Sequence, residues 1–180
     1  MSLSPVKCKI LETLLLNEKP AKAQEIAKEV GSDFKPVNMH LIGLTKAGYT
    51  ALPQKGQYVI TQKGKETLGI PETTVECAKQ ILAQTPHEKA FHFYTAINKP
   101  SSLYAHGLKD FAEKAQTVDV AALDFHLSRG DFEKWFASLG DTELAKKMAL
   151  LKTCGIHGEA LRAKLKELVD SRCFALSKLA

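Results

Sequence analysis

The stretch LTKAGYTALPQKGQYVITQKGKETL, residues 44–68, changes its hydrophobic pattern twice and decides the fold of the first part of the chain. The helical spacing that leads into it ends at Gly48. Two short segments of strand composition, YTALP and QYVIT, then flank QKG, which predicts a β-hairpin. Thr61 is a suitable N-cap for a short closing helix, QKGKETLG. The stretch therefore predicts a hairpin set between two helices.

Three amphipathic helices are predicted before and into this stretch, each with apolar residues at helical spacing. The first covers residues 4–16, the second follows Pro20 and is capped by Gly31, and the third opens near Pro36. Their apolar faces are formed by Val6, Ile10, Leu11, Leu14 and Leu15, by Ala23, Ile26, Ala27 and Val30, and by Val37, Leu41 and Leu44.

This order of elements, together with residues 44–68, resembles the winged helix-turn-helix domain common in archaeal and bacterial regulators. The resemblance covers about residues 4–70. It implies a DNA-binding domain whose third helix lies in the major groove while the hairpin, or wing, touches the flanking backbone.

The outward face of the third helix is mixed in character. Lysines there suit phosphates and Asn38 suits adenine, whereas Met39 and Ile42 are more typical of a protein interface, although Ile42 also suits a thymine methyl group. The first 70 residues contain no arginine, the side chain that most often contacts guanine. Docking of a protein by this face is therefore the alternative to DNA binding. The predicted DNA-binding residues are Lys35, Asn38, Met39, Ile42, Lys46, Lys55, Lys63 and Lys65.

Charge is distributed unevenly along the chain. The net charge is +5 at pH 7, and residues 1–70 hold ten lysines against six acidic residues. This excess indicates a polyanion partner for the first segment, with a solvated lysine-rich surface as the alternative. No run of 18 apolar residues and no signal peptide is evident, so we expect a cytoplasmic protein without a membrane span. The four cysteines, with no CxxC pair, are expected to be reduced and mostly in the core.

The second half is predicted to be a helical bundle. Pro71 marks the boundary, residues 71–86 are predicted to form a connecting helix or linker, and residues 87–180 a helical domain. Within that domain AFHFYTAI, residues 90–97, is expected to be extended, and every segment from residue 101 onward is expected to be helical. The fold class predicted for the whole chain is therefore mainly α, a winged helix followed by an α-helical bundle.

This half resembles an uncharacterised, largely archaeal prokaryotic domain family over about residues 90–172. The matching segments are FHFYTAI, LKDFAEKAQTVDVAALDFHLSRGDFEKWF and LGDTELAKKM. The family tends to have serine where this chain has Gly107, which is still an acceptable N-cap. The resemblance implies the architecture and no activity.

The segment HLSRGDFEKW, residues 126–135, concentrates chemically active side chains. His126, Arg129 and Asp131 are compatible with acid–base chemistry. A helix corner explains most of them without catalysis, because Gly130 turns the chain and Asp131 is expected to cap a helix that begins at Phe132. We therefore predict no catalytic residue and no enzyme.

An aromatic set in the same half is either core or the lining of a small-molecule pocket. If it lines a pocket, the predicted polar contacts to a ligand are His92, Tyr94, His126 and Arg129. Cys154 and His157 form a single C-x-x-H pair, which is weak support for a metal, and no phosphate-binding or dinucleotide fingerprint occurs. No metal and no cofactor are predicted.

These observations lead to one expectation and two alternatives. We expect a regulator whose winged helix binds duplex DNA, whose helical domain senses a small-molecule effector or mediates association, and which forms a homodimer because two half-sites add their contacts. A protein–protein adaptor that docks through the winged helix is the second choice. An enzyme built on His126, Arg129 and Asp131 is the third.

Overall fold

The computed structural model describes residues 3–180, and over that range the chain is mainly helical with two small antiparallel sheets. Within this range the chain divides between Glu72 and Thr73 into two compact units. The elements of the first unit are α1 (Pro5–Leu16), β1 (Ala21–Lys22), α2 (Ala23–Val30), α3 (Phe34–Lys46), β2 (Thr50–Gln54), β3 (Gln57–Ile60) and α4 (Gln62–Thr67). Those of the second are α5 (Val75–Leu82), a 3-10 turn (His87–Lys89), β4 (Phe91–Ala96), β5 (Lys99–Ala105), α6 (Leu108–Thr117), α7 (Val120–Arg129), α8 (Asp131–Ser138), α9 (Thr142–Thr153) and α10 (Gly158–Leu179).

The first unit packs α1, α2 and α3 around one apolar core. The core takes most of the predicted apolar faces of these helices, including Ile10, Ile26 and Leu41, all of which are fully buried. Val6, predicted on the apolar face of the first helix, is instead 41% exposed. Gly31 ends α2 in the left-handed conformation, as predicted, because a residue without a Cβ adopts that conformation at no steric cost. The Thr61 hydroxyl caps α4 by accepting from the Gly64 N–H. The predicted end of α2 at Gly31 and the predicted cap at Thr61 are therefore confirmed.

Two details of the first unit differ from expectation. The strand β1 is only two residues long and was not predicted; it pairs with β3, so that the sheet has the order β1-β3-β2. Helix α3 begins at Phe34, which places Pro36 third in the helix. Proline is tolerated there because the first N–H groups of a helix have no partner within it.

A close approach fixes the start of α4. A Cβ built at Gly64 would overlap the carbonyl oxygen of Tyr49 and lie 2.7 Å from Cγ1 of Ile60. Glycine is therefore required for the closing helix to pack this tightly against the residues that lead into the hairpin.

The second unit has an aromatic core. Phe93 on β4 is fully buried with Phe111, Phe132 and Phe136, and the rings of Phe111 and Trp135 stack with their centroids 5.5 Å apart. Helix α5, which the sequence placed in a linker, packs against α6 and α10 and belongs to this unit.

The expectation that residue 101 onward is entirely helical was wrong. Residues 99–105 form β5, which pairs with the predicted extended segment as a two-stranded antiparallel hairpin. The pairing register shifts twice, and Ser102 adopts a positive φ of 59°. An irregular strand that contains Pro100 and two serines carries no clean alternating pattern, and this explains why its sequence did not reveal it.

The junction between α7 and α8 consists of a single residue. Gly130, with φ 74°, is at once the C-cap of α7 and the N-cap of α8. The prediction that Asp131 caps a helix beginning at Phe132 was wrong, because α8 begins at Asp131 and no side-chain cap bond is formed there. The Asp131 carboxylate instead turns toward α7.

A buried network of four charged side chains ties α9 to α10. Arg172 donates through Nε to Asp141, at 2.9 Å, and through a terminal nitrogen to Glu143, at 3.1 Å. Lys147 lies 3.0 Å from Glu143. All four side chains are nearly inaccessible to solvent, and the two positive charges balance the two negative ones, as buried charges require.

The cysteines do not follow the expectation that most lie in the core. All four are free thiols, but in residues 3–180 only Cys173 is buried, whereas Cys77 and Cys154 are exposed. Burial raises the pKa of the Cys173 thiol to about 11, and the negative charge of Asp170 adds to the effect.

Candidate functional site

The four residues predicted to contact a ligand line one cavity in the second unit. The cavity has a volume of about 380 Å³ and lies between β4, the turn after it, and α7. Its lining combines apolar rings with a small set of polar groups, the usual composition of a small-molecule site. The lining residues are Phe91, His92, Tyr94, Ala96, Ile97, Asn98, Phe125, His126, Arg129 and Asp131.

His126 is placed at the inner wall of the cavity by α7 and is almost completely buried, with 4% of its surface exposed. Its Nε2 accepts the backbone N–H of Tyr94 at 2.8 Å. Strand β4 has β5 on one side only, so His126 supplies a partner for an N–H on its other edge. His126 therefore fastens α7 to β4.

The second nitrogen of His126 identifies its tautomer. Nδ1 lies 2.8 Å from Oδ2 of Asp131. Because Nε2 accepts a hydrogen bond from a backbone N–H, the ring proton must be on Nδ1, which donates it to the carboxylate. Burial lowers the pKa of His126, the Asp131 carboxylate opposes that shift, and the positive charge of Arg129 reinforces it. The imidazole is therefore held neutral, with both nitrogens engaged.

Arg129 lies at the mouth of the cavity, about half exposed, and is held on two sides. Its Nε lies 3.2 Å from Oδ2 of Asp131, and its guanidinium carbon lies 5.0 Å from the centre of the Phe125 ring. One oxygen of Asp131 thus serves both His126 and Arg129. Among residues 3–180, neither terminal nitrogen of Arg129 has a hydrogen-bonding partner, so both are available to a bound molecule.

His126 is not free to act as a general base in this arrangement. A general base needs a nitrogen or oxygen free to take a proton from the bound molecule. Neither nitrogen of His126 is free, since one accepts from Tyr94 and the other donates to Asp131. The triad of His126, Arg129 and Asp131 therefore has the geometry of a fixed, partly charged wall.

His92 and Tyr94, on β4, complete the predicted ligand set, and His92 also belongs to a cluster of rings. The centroid of its ring lies 4.6 Å from that of Tyr104 and 5.2 Å from that of His87. The centroid of the His106 ring lies 5.7 Å from that of His87. Within the described part of the chain, no three side chains of His, Cys, Asp or Glu are placed to hold a metal ion.

The first unit presents a separate candidate surface on α3. Val37, Leu41 and Leu44 face the core, and the predicted DNA-binding residues of this helix therefore point away from it. Lys35, Met39, Ile42 and Lys46 are exposed, and Asn38 is half-buried.

The hairpin tip and the start of α3 share one groove. Lys55 at the tip and Asn38 on α3 line a cavity of about 250 Å³ together with Phe34 and Lys22. Lys22 was not among the predicted residues, because only the fold brings the start of α2 beside α3 and the hairpin tip. Lys55 is thus brought alongside α3, as DNA binding by both elements requires.

The remaining two predicted lysines are on α4 and less available. Lys63 donates to the carbonyl of Ala47 at 2.8 Å and lies over the ring of Tyr49. Lys65 is half-buried. Lys63 therefore uses at least one of its N–H donors on the C-terminal end of α3.

One sequence feature of this surface was missed. Residues 34–65 contain five lysines and no aspartate or glutamate. This range includes all of α3 and the hairpin, so the surface that these elements form has no carboxylate of its own. Such a surface attracts polyanions.

The chain matches no protein-family model, no curated protein and no solved structure at a significant level. None of the helices in residues 3–180 is long and apolar enough to cross a membrane.

Proposed function

We propose that the chain is a DNA-binding regulator whose first unit is a winged helix-turn-helix domain. Three helices followed by a hairpin and a closing helix support this proposal, because that is the order the resemblance implies. In such a domain α3 would enter the major groove and the hairpin would follow the neighbouring phosphates. The second unit would then carry an effector site or mediate association as a homodimer.

The observation that carries the proposal is the groove shared by α3 and the hairpin tip. Asn38 and Lys55, on different elements, line it together, and residues 34–65 add positive charge without a carboxylate. Phosphates would be contacted by Lys35, Lys46 and Lys55. The Asn38 amide would both donate a hydrogen bond to adenine and accept one from it.

Salt dependence is the direct test. Binding of the full chain to a fluorescently labelled duplex of mixed sequence is measured by anisotropy between about 50 and 200 mM salt. The logarithm of affinity should fall linearly with the logarithm of salt concentration, with a slope of about −0.9 for each phosphate contacted. No salt-dependent binding at the low end of this range would refute the proposal.

Variants locate the surface. Lys35→Gln and Lys55→Gln should each weaken binding to all sequences and reduce the salt slope by about 1. Lys19→Gln is the matched control, since Lys19 is exposed on the same unit but lies outside α3 and the hairpin. Equal losses in all three variants would point to diffuse charge attraction. Asn38→Ala should instead change the preference between sequences.

Exposed apolar residues favour an adaptor as the second candidate. Met39 is 71% exposed and Ile42 44%, and both lie on the α3 face. The variant Met39→Gln with Ile42→Thr keeps the charge and removes the apolar contact. In the adaptor hypothesis it abolishes binding of a protein partner, whereas a DNA-binding domain keeps most of its affinity for nonspecific duplex. The engaged nitrogens of His126 disfavour the enzyme hypothesis.

A further inference from the structure

In the cavity beside His126, Arg129 is held in one orientation but has terminal nitrogens without a partner within the part of the chain that the structure describes. Asp131 and Phe125 hold Arg129 on two sides, and its terminal nitrogens are left to solvent at the cavity mouth. A planar guanidinium whose position is already fixed loses little conformational entropy when it binds. Its two terminal groups match the two oxygens of a carboxylate.

The net charge of the cavity wall restricts the ligand. Arg129 is the one permanently cationic residue among those that line the cavity in the described chain, and Asp131 balances it. The Nε2 atom of His126 accepts the Tyr94 N–H and therefore carries no proton, so this ring is neutral. A wall without net positive charge favours a monoanion over a phosphate ester, which would bring a second negative charge close to Asp131.

The apolar wall indicates the rest of the ligand. Phe91 and Phe125 contribute ring surface, and Ile97, in the turn between β4 and β5, is 71% exposed at the rim. At about 380 Å³ the cavity lies at the small end of the usual range for ligand pockets. It therefore fits a body the size of a single ring next to the charged group.

We propose that this cavity binds a small organic carboxylate with an apolar, ring-sized body, its carboxylate on Arg129 and its body against Phe91, Phe125 and Ile97. Either a simple carboxylic acid or a free amino acid provides this chemistry. They differ at Asp131, whose Oδ1 has no hydrogen-bonding partner among the described residues and would accept from an α-ammonium group. The proposal does not depend on DNA binding by the first unit.

The test is calorimetric titration of the full chain, without DNA, with three probes that share a phenyl ring. They are 3-phenylpropanoate, its uncharged counterpart 3-phenylpropanamide, and L-phenylalanine. We expect saturable binding of 3-phenylpropanoate, at least about tenfold tighter than the amide, because a hydrogen bond to a charged group is lost. Tighter binding of L-phenylalanine than of 3-phenylpropanoate identifies an amino acid as the source of the carboxylate, and weaker binding identifies a simple acid.

Two variants assign the site. Arg129→Gln should weaken binding of 3-phenylpropanoate about tenfold or more and leave the amide unaffected. Lys134→Gln is the matched control, because this exposed lysine of α8 makes the same change in net charge but does not line the cavity. Half-exposed Arg129 is not part of the core, and the thermal midpoint of each variant checks that it folds.

Two results would overturn the proposal. One is the absence of saturable binding by both carboxylate probes at millimolar concentration. The other is equal affinity for acid and amide in the wild-type chain, a comparison that does not rely on any variant. Loss of DNA binding has no bearing on either result, so failure of this proposal and failure of the proposed function are separable.

Discussion

Replacing His126 with asparagine removes one of its two hydrogen bonds and tests whether it fastens β4 to α7. The asparagine side-chain nitrogen takes the place of Nδ1 and can still donate to Asp131, but nothing replaces Nε2. The Tyr94 N–H, 2.8 Å from Nε2 in the native chain, is then left without an acceptor.

The loss of stability in His126→Asn has two contributions. A partly buried donor without a partner costs about 1–3 kcal/mol, and loss of an aromatic contact costs about 0.5–1.5 kcal/mol. The imidazole makes such contacts with Phe91 and Phe125, at centroid distances of 4.8 and 5.2 Å. We therefore expect a loss of roughly 2–4 kcal/mol in the free energy of unfolding of the second unit.

Tryptophan fluorescence reports this loss selectively. Trp135 is the single tryptophan of the chain and lies in the second unit, so its emission follows the unfolding of that unit. For a domain of about this size each kcal/mol shifts the thermal midpoint by roughly 4–8 °C, so His126→Asn should lower it by at least about 8 °C. His157→Asn is the control, because that histidine is exposed. A midpoint for His126→Asn equal to that of the control would refute the reasoning.

Four further predictions concern other features of the two units. Folding lowers the pKa of His126 from its usual 6.5, so the unfolded chain binds more protons than the folded chain. The stability that this group contributes is therefore complete above about pH 6.5 and decreases as the pH falls below that value. Fluorescence melts from about pH 7.5 to 5.5 should show this decrease in the wild type and a smaller one in His126→Gln, whose amide oxygen still accepts from the strand. Gly64→Ala should destabilise the first unit by about 1–3 kcal/mol, because the added methyl group overlaps a backbone carbonyl; hydrogen exchange of that unit's amides measures the effect. Arg172→Met should cost about 3–5 kcal/mol in urea unfolding followed by fluorescence, since it leaves the buried Asp141 carboxylate without its cation, whereas Glu143 keeps Lys147. With the pKa of Cys173 raised to about 11, iodoacetamide at about pH 8 should alkylate Cys77 well before Cys173, as peptide mass spectrometry will show; equal rates would contradict this.

Helix boundaries and caps were predictable because they depend on neighbouring residues. Gly31 and Thr61 end or cap helices where their residue types predicted it. Asp131 does not cap α8, because its carboxylate interacts with two side chains of α7 instead. Because only Gly130 separates α7 from α8, the Asp131 carboxylate reaches His126 and Arg129. No sequence pattern predicts these contacts.

Long-range pairing was the part that the sequence could not reveal. The acceptor in the His126 bond is 32 residues from its donor, and β5 is recognisable only once β4 lies beside it. The predicted ligand set nevertheless lines one cavity, because its members lie on β4 and on α7 and these two elements pack against each other. The cationic surface was predictable in composition, whereas Lys22 joined it only through the fold.

The single-residue junction at Gly130 constrains the length of the chain as well as its conformation. Each residue added to a helix rotates the next part of the chain by about 100° and advances it by about 1.5 Å. One extra residue at the end of α7 would therefore rotate Gly130 and α8 by that amount, carrying Asp131 away from His126 and the buried face of α8 away from the core. Insertions and deletions should be excluded at this position over evolution, whereas the exposed turn at Ile97 and Asn98 can change length without disturbing the core.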